Sequence, residues 1–262
     1  MMLLNSTPLY LGTSGYKYDD WMDVFYPSGT SHYNMLEYYT KHFNLIEITF
    51  TFYKIPYAKT MQSILARTPD NVCFSVRVHK NLLRGRNTNK ELNDFIYGLS
   101  PLLESNKIKA FFADYNYKFT SCKANMHIIK DLAEKLPAGI PFFTELPSST
   151  WYKERYIEEF KENRIGLIGL HMPEMAGLAP FYPVSTNYFT YLRLYGKSRL
   201  WVVPEDKVTD YRYKNDEIKK ILNRCIDASV LSKEIFISFC NVTNGNAAVN
   251  ALDTKKIVEN EF

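Results

Sequence analysis

Four charged side chains lie inside apolar stretches of the sequence, where an ionised group is costly unless another group faces it. Glu47 and Glu145 lie among β-branched and aromatic residues, and Arg77 and Arg193 lie in similar stretches. Two carboxylates that share a poorly solvated site can hold different pKa values, one protonated and the other ionised. Glu47 and Glu145 are therefore candidate acid/base groups, and Arg77 and Arg193 are candidate stabilisers of negative charge.

The same four residues also have a purely structural interpretation. They would satisfy one another as a charge-balanced interior that performs no reaction. Buried ion pairs add little stability over apolar packing, so such a group needs another reason to be there. That reasoning favours a functional site without removing the structural alternative.

Eight short segments rich in β-branched and aromatic residues predict strands, and most are followed by a segment of helical periodicity. The predicted strands are YLGTSGY, LIEITFTFY, VCFSVRV, IKAFFADY, PFFTEL, IGLIGLHM, YFTYLRLYG and EIFISFCN. The connection after the sixth segment is interrupted by Pro and Gly and predicts no helix. Eight strand–helix units with parallel crossovers predict an α/β protein with a single (β/α)8, TIM-like barrel domain over residues 1–262. An open doubly wound sheet is the alternative.

Side-chain alternation orients the second predicted strand. Ile46 and Ile48 face one side and Glu47 the other, and the alternation is expected to continue as far as Tyr53. The apolar side packs under the helices, which places Glu47 in the barrel bore. The third strand alternates in the same way and places Arg77 in the bore, so the sequence predicts a buried Glu47–Arg77 pair.

Further polar and aromatic residues follow the predicted strands, at the end of the barrel where enzymes of this fold build their sites. The predicted ligand-binding residues are Tyr53, Trp21, Trp151, Tyr195, Lys197 and Asn241. The two tryptophans would stack on a ring-shaped ligand, or they would seal the loops over the core.

Phosphate capture is predicted at the loops after the seventh and eighth strands. These loops supply Lys197–Arg199 and the turn Asn244–Asn246 before a helix N-terminus. Arg193 is expected beside them, with a guanidinium that binds phosphate or carboxylate through two hydrogen bonds. The alternatives are ordinary turn and capping interactions in the loops and a salt bridge from Arg193 to one of the glutamates.

A metal site is a weaker possibility. His79, His171, Glu145 and Asp114 could converge at the barrel mouth, but the five histidines show no HxxxH or HExxH spacing. The four cysteines show no CxxC spacing either. The sequence therefore predicts no metal and no other cofactor.

Composition limits the partners. Lys and Arg outnumber Asp and Glu by 32 to 28, an excess that favours an acidic partner only weakly. The sequence has no run of about 18 apolar residues and no secretion signal. It therefore predicts a cytoplasmic protein with no membrane partner, and it predicts no particular oligomeric state.

Six stretches together resemble a known family. They are GTSGYKYDDWMDVFYP, FNLIEITFTFYKIP, CFSVRV, TELPSSTW, YLRLYG and FCNVTNGNAAVNA. In this order and spacing they resemble the domain of unknown function 72 family, also called YecE-like proteins, from about Gly12 to Ala251. The resemblance implies a barrel of the endonuclease IV and xylose isomerase type. It implies no particular reaction, because the activity of that family is unsettled.

The chain departs from the family pattern at several polar positions. Arg77 stands in place of a family lysine, and His171 stands in place of an aspartate. The family run Glu-x-Arg-His is Glu145-Leu146-Pro147-Ser148, and Tyr195 replaces a histidine. Any activity that depends on the replaced histidines is not expected here.

The expected function is binding of a small anionic ligand, phosphorylated or sugar-like, in a polar pocket at the C-terminal face of the barrel. If the protein is an enzyme, the residues favour metal-independent hydrolysis or lyase chemistry. One alternative is nucleic-acid binding or processing, suggested by fold analogy and the small basic excess. Another is a catalytically silent binding module.

Overall fold

One nearly closed sheet organises the molecule. The computed structural model describes residues 2–85, 89–198 and 210–262. In those residues the strands are β1 Leu3–Leu4, β2 Thr7–Thr13, β3 Leu45–Ile48, β4 Cys73–Arg77, β5 Ile108–Asp114, β6 Phe142–Glu145, β7 Gly166–Leu167, β8 Gly169–His171, β9 Thr190–Leu194 and β10 Ile235–Phe239. Strand β1 pairs antiparallel with β2, and the other described pairings are parallel.

The strand order confirms the predicted barrel. It runs β7-β6-β5-β4-β3-β2-β10-β9-β8, so the first barrel strand β2 lies between β3 and the last strand β10. That neighbourhood closes the sheet and is incompatible with the open doubly wound alternative. Each predicted strand segment contains a strand, but the sixth is broken into β7, which pairs with β6, and β8, which pairs with β9.

Helices follow most barrel strands, as the periodicity predicts. In the described residues they are α1 Met35–Thr40, α2 Ala58–Ala66, α3 Asn89–Gly98, α4 Ser100–Glu104, α5 Lys123–Lys135, α6 Glu154–Glu162, α7 Asn215–Ala228 and α8 Asn246–Glu261. Residues 172–189, between β8 and β9, contain no helix, in agreement with their Pro and Gly content. None of the helices in the described part of the chain is long and apolar enough to cross a membrane.

The apolar side chains of the strands divide between two layers. Ile46, Ile48 and Val76 belong to the outer cluster that packs under the helices. Leu45 and Phe143 belong to a second cluster that fills part of the bore. Because successive strand residues face opposite sides, this division turns Glu47 inward, as predicted.

The second barrel strand is shorter than predicted. Strand β3 ends at Ile48, and a 3-10 turn, Phe50–Phe52, replaces the expected alternation up to Tyr53. The turn is held at Thr51, whose hydroxyl donates a hydrogen bond to the main-chain oxygen of Arg77 at 2.6 Å. As a result Tyr53 stands above the strand ends with 57% of its surface exposed.

Close packing at Gly12 joins the first helix to the first two barrel strands. The Tyr39 hydroxyl of α1 donates to the main-chain oxygen of Leu45 and accepts from the amide of Thr13. A Cβ on Gly12 would lie 2.0 Å from that Leu45 oxygen. A residue with a side chain therefore does not fit at this position without displacing the backbone.

Candidate functional site

Arg193 is the centre of the buried polar network in the bore. Its Nε and Nη2 atoms donate to the two oxygens of Glu47, each at 3.1 Å. Its Nη1 donates to Glu145 and to the Tyr195 hydroxyl, and Nη2 also reaches Ser14 at 3.2 Å. The five N–H groups of the guanidinium are thus all engaged by the protein. Arg193 faces the bore as predicted, but its contacts are those of the salt-bridged alternative.

Glu47, on β3, is held by two side chains of β9, Tyr191 and Arg193. Besides Arg193, it accepts a hydrogen bond from the Tyr191 hydroxyl at 2.6 Å, and that hydroxyl lies 2.9 Å from the Ser75 hydroxyl. The glutamate is 1% exposed. Its charge is therefore compensated inside the bore, and a ligand at the mouth does not reach it.

Glu145, at the end of β6, is the second buried glutamate of the bore. Its Oε1 accepts from the Tyr195 hydroxyl at 2.7 Å, and its Oε2 accepts from Arg193. Burial raises the pKa of the Glu145 carboxyl to about 7, an effect that Arg193 opposes and Asp114 reinforces. A carboxyl with this pKa is partly protonated near neutral pH, which suits a general acid.

Tyr195 connects Glu145 to the barrel mouth. Its side chain is partly exposed, whereas Glu145 and Arg193 are buried. Burial raises the pKa of the Tyr195 hydroxyl well above its usual value, so the group stays protonated. It can therefore donate to Glu145 while it accepts from Arg193.

The predicted Glu47–Arg77 pair is wrong. Arg77 pairs instead with Asp114 of β5, with 2.5 Å between Nη2 and Oδ2. The register explains the exchange, since Glu47 lies opposite Ser75 and Arg77 lies two residues further toward the mouth. Arg193, reaching across from β9, takes the place beside Glu47.

The Arg77–Asp114 pair nevertheless belongs to the same charge network. Asp114 Oδ2 lies 3.8 Å from Nη1 of Arg193. Three carboxylates, those of Glu47, Asp114 and Glu145, thus share two guanidinium groups. One proton on Glu145 brings the formal charge of the network to zero.

Arg77, Asp114 and Tyr53 also line an open cleft of about 1020 Å³ at the C-terminal face. The cleft lies beside the bore, over the ends of β4 and β5. Arg77 and Asp114 are partly exposed, with 16% and 19% of their side-chain surfaces accessible. The network is therefore buried at Arg193 and opens to solvent at this pair.

The two predicted stacking tryptophans are completely buried. The indole N–H of Trp21 donates to the main-chain oxygen of Val242, and that of Trp151 donates to the main-chain oxygen of Phe119. Both side chains are 0% exposed, so neither offers a face to a ligand. Their placement corresponds to the alternative in which they seal loops over the core.

Asn241 also has a structural position. It is 0% exposed, and its Nδ2 donates to the main-chain oxygen of Tyr211 and to Oδ1 of Asn250. Asn250 in turn binds both main-chain groups of Tyr213. Asn241 thus holds the chain segment before α7, and its contact with a ligand stays a prediction.

The loops predicted to capture phosphate are occupied by acidic side chains. Lys197 lies 3.4 Å from Glu217. In the turn after β10, the amide of Asn244 donates to Asp20, and the side chain of Asn246 donates to Asp210. Carboxylates therefore hold the positions that an anion would need here. Arg199, also predicted for this site, lies outside the described residues.

The four residues of the possible metal site do not form a metal-binding group. In the described residues, no cluster of three or more His, Cys, Asp or Glu side chains could hold a metal ion. His79 caps a 3-10 turn, where its Nδ1 accepts from the Asn81 amide. His171 Nδ1 lies 2.8 Å from the Tyr213 hydroxyl, and burial lowers the pKa of His171 to about 4.

Several polar residues of the cleft are absent from the sequence-based prediction. They include Lys80, Asn81, Arg84 and Tyr115. Lys80 and Arg84 lie in the run VRVHKNLLRG, a basic segment that directly follows the third predicted strand. Their position after a barrel strand is a signal that could have identified them.

Comparison with known proteins decides the family. The model of the family described as "Protein of unknown function DUF72" matches residues 10–262. The chain belongs to this family. The resemblance found in the sequence is thereby confirmed.

Relatives of similar length support the assignment. The UPF0759 protein YunF of Bacillus subtilis (strain 168) is 23% identical, with 97% of this chain and 96% of YunF covered. The crystal structure of a DUF72 family protein from Thermotoga maritima MSB8 has 27% identity and a TM-score of 0.89, covering 96% of this chain and 99% of that one. A DUF72 family protein from Enterococcus faecalis V583 has 24% identity and a TM-score of 0.85, covering 97% and 96%. Their descriptions name no ligand and no reaction.

Proposed function

We propose that this DUF72 protein binds a small anionic ligand at the C-terminal face of the barrel and performs acid–base chemistry on it, either hydrolysis or elimination. The observation that carries the proposal is the burial of Glu145 in contact with Arg193 and Tyr195, beside a mouth that contains the partly exposed Arg77. Burial raises the pKa of the Glu145 carboxyl to about 7. A proton donor near neutral pH and a cation for the ligand therefore lie on one continuous network.

The chemistry we propose needs no metal. The oxygens of Glu47 and Glu145 already accept hydrogen bonds from Arg193 and from tyrosine hydroxyls. Such carboxylates suit proton transfer better than metal coordination. Arg193 acts here as a positioning residue, because its donors hold the two glutamates in place.

Glu145 would supply the proton. The Tyr195 hydroxyl lies between Glu145 and the mouth, so it can give its proton to the leaving group of a ligand and take the Glu145 proton in its place. The Glu145 carboxylate formed in this way then takes a proton back through Tyr195, from water in hydrolysis or from the ligand in elimination. Activity is therefore expected to fall as the pH rises above about 7.

Turnover tests this proposal. The protein would be incubated with a panel of pentose and hexose phosphates between pH 5 and 8, and products followed by phosphorus and proton NMR. We expect turnover of at least one compound that Glu145→Gln abolishes. Glu158→Gln, which changes an exposed glutamate of α6, is the control and should be fully active. Equal activity of Glu145→Gln and wild type would contradict the proposal.

A further inference from the structure

The cleft beside the bore contains buried polar atoms that the network in the bore does not use. The Nε of Arg77 and the hydroxyl of Tyr115 are both buried, and neither has a hydrogen-bond partner among the described residues. Tyr115 is only 4% exposed. Buried donors without acceptors are rare in folded proteins because they lose their hydration without compensation. Both residues line the cleft, where a small side-chain rotation would bring either donor to a polar ligand group.

The charges of the cleft favour an anion. Its lining includes three cations, Arg77, Lys80 and Arg84, and two acids, Asp114 and Glu91. Lys80 and Arg84 are exposed and form no ion pair within the described part of the chain. Asp114 engages one nitrogen of Arg77. The remaining N–H groups of that guanidinium, together with two free cations, suit a doubly charged phosphate better than a singly charged carboxylate.

Aromatic side chains also line the cleft. The Phe52 ring lies 3.8 Å from the Arg77 guanidinium carbon and fixes the plane of that group. Tyr115 and Phe119 are stacked, with 4.1 Å between ring centroids. Tyr53 stands exposed at the rim. Aromatic rings that lie beside cationic side chains suit the ring of a phosphorylated compound.

We propose that this cleft is the binding site for a phosphomonoester of a ring-shaped hydroxylated compound. The phosphate binds Arg77, with Lys80 and Arg84 adding charge and the Tyr115 hydroxyl donating a hydrogen bond. The ring lies against Tyr53 and the stacked pair Tyr115 and Phe119. This inference rests on the proposed function and deepens it, because it names the class of ligand and the residues that select it.

Calorimetric titration of glucose 6-phosphate, inorganic phosphate and unphosphorylated glucose tests the inference. We expect the two phosphates to bind wild type and glucose to bind far more weakly. Arg77→Met should weaken binding of both phosphates about tenfold or more, the loss typical of a charge-assisted contact. Tyr115→Phe, which keeps the ring and its packing, should weaken it roughly threefold to tenfold.

The control is Arg67→Met. Arg67 also lies over an aromatic ring, that of Tyr33 at 4.4 Å, but it follows α2 on the outer surface and does not line the cleft. This variant makes the same change of charge and should bind phosphate like wild type. Equal phosphate affinity in wild type, Arg77→Met and Tyr115→Phe would overturn the inference, as would glucose binding as tightly as its phosphate.

Two further outcomes separate this inference from the proposed chemistry. Glu145→Gln should keep wild-type phosphate affinity even where it abolishes turnover, since Glu145 does not line the cleft. Phosphate binding that survives in Arg77→Met would overturn the cleft assignment and leave the role of Glu145 standing. Duplex DNA that binds with a steep salt dependence, while small phosphates do not bind, would assign the cations to nucleic acid and overturn the inference.

Discussion

Arg193 balances the charges of the bore, and its partners could be anticipated only in part. Alternation along the strands predicts that Glu47 and Arg193 face inward, and the structure agrees. The ion-pair partner of each charged residue depends on the register between strands, which sets how far along the barrel axis each side chain lies. The sequence of a single strand does not contain that information, so alternation alone predicts Arg77 beside Glu47, whereas Arg77 pairs with Asp114.

Removal of Arg193 should be strongly destabilising. Arg193→Met leaves Glu47 and Glu145 buried without their cation, and we expect the free energy of unfolding to fall by about 3–5 kcal/mol. Urea denaturation at pH 7.5 measures this loss. Arg77→Met is the comparison and should cost about 1–2 kcal/mol, since that pair is partly exposed. Equal losses in the two variants would show that Arg193 does not hold the network.

The raised pKa of Glu145 should appear in the pH dependence of stability. The folded state keeps the proton up to about pH 7, whereas the unfolded state releases it near 4.5. Stability is therefore greatest below pH 4.5 with respect to this group and declines as the pH rises to 7, by about 3 kcal/mol in total. The Glu145→Gln variant has no carboxyl at this position, so its stability cannot show this pH dependence.

The difference in unfolding free energy between wild type and Glu145→Gln isolates that effect. Wild type should lose stability relative to the variant across pH 4.5 to 7. Groups that titrate in both proteins, such as His171, cancel in the difference. Parallel stability curves over this window would rule out a raised pKa at Glu145.

Among the elements, residues 210–214 before α7 are held not only by Asn241 and Asn250 but also by the hydroxyl of Tyr213. The Tyr213 hydroxyl lies 2.8 Å from Nδ1 of His171, the last residue of β8, and accepts from the amide of Gly196, after β9, at 2.7 Å. Gly196 has φ +95°, and a Cβ there would lie 2.4 Å from Cβ of Tyr211. This connection joins two strand ends to the start of α7, and no local pattern in the sequence predicts it.

Tyr213→Phe should loosen these strand ends. It leaves the Gly196 amide and the His171 ring nitrogen buried without their partner, at a cost of about 1–3 kcal/mol. Hydrogen exchange of the Gly196 amide should become faster. Tyr211→Phe, which removes a hydroxyl bound to Glu217 on the same segment, should leave that amide protected. Unchanged exchange in Tyr213→Phe would contradict the role given to its hydroxyl.

At the scale of the whole molecule, periodicity and element order were enough to predict the barrel. Strand–helix alternation is a repeated signal, so one misjudged element does not change the fold. The break in the sixth strand at Ile168 and the 3-10 turn after Ile48 were missed, because both depend on contacts between neighbouring strands. The sequence also leaves open whether Trp21 and Trp151 bind a ligand or seal the core. Their burial depends on the positions of loops, which the sequence does not determine.

The whole molecule also explains where chemistry is possible. The charge network in the bore is buried at Arg193 and is exposed to solvent at Arg77 and Asp114. The cleft adds two cations outside this network, Lys80 and Arg84. Within this network, we expect Glu145 to carry a proton near neutral pH. Every step of the proposed acid–base chemistry depends on that proton.

Carboxyl carbon-13 NMR of the wild-type protein tests this claim most directly. The Glu145 signal is identified by its absence in Glu145→Gln, and its chemical shift is followed from pH 3 to pH 9. We expect a titration midpoint near pH 7 for this carboxyl, because burial raises its pKa. A midpoint at or below 4.5, the ordinary value for glutamate, would mean that Glu145 is ionised at neutral pH and would contradict the proposed acid.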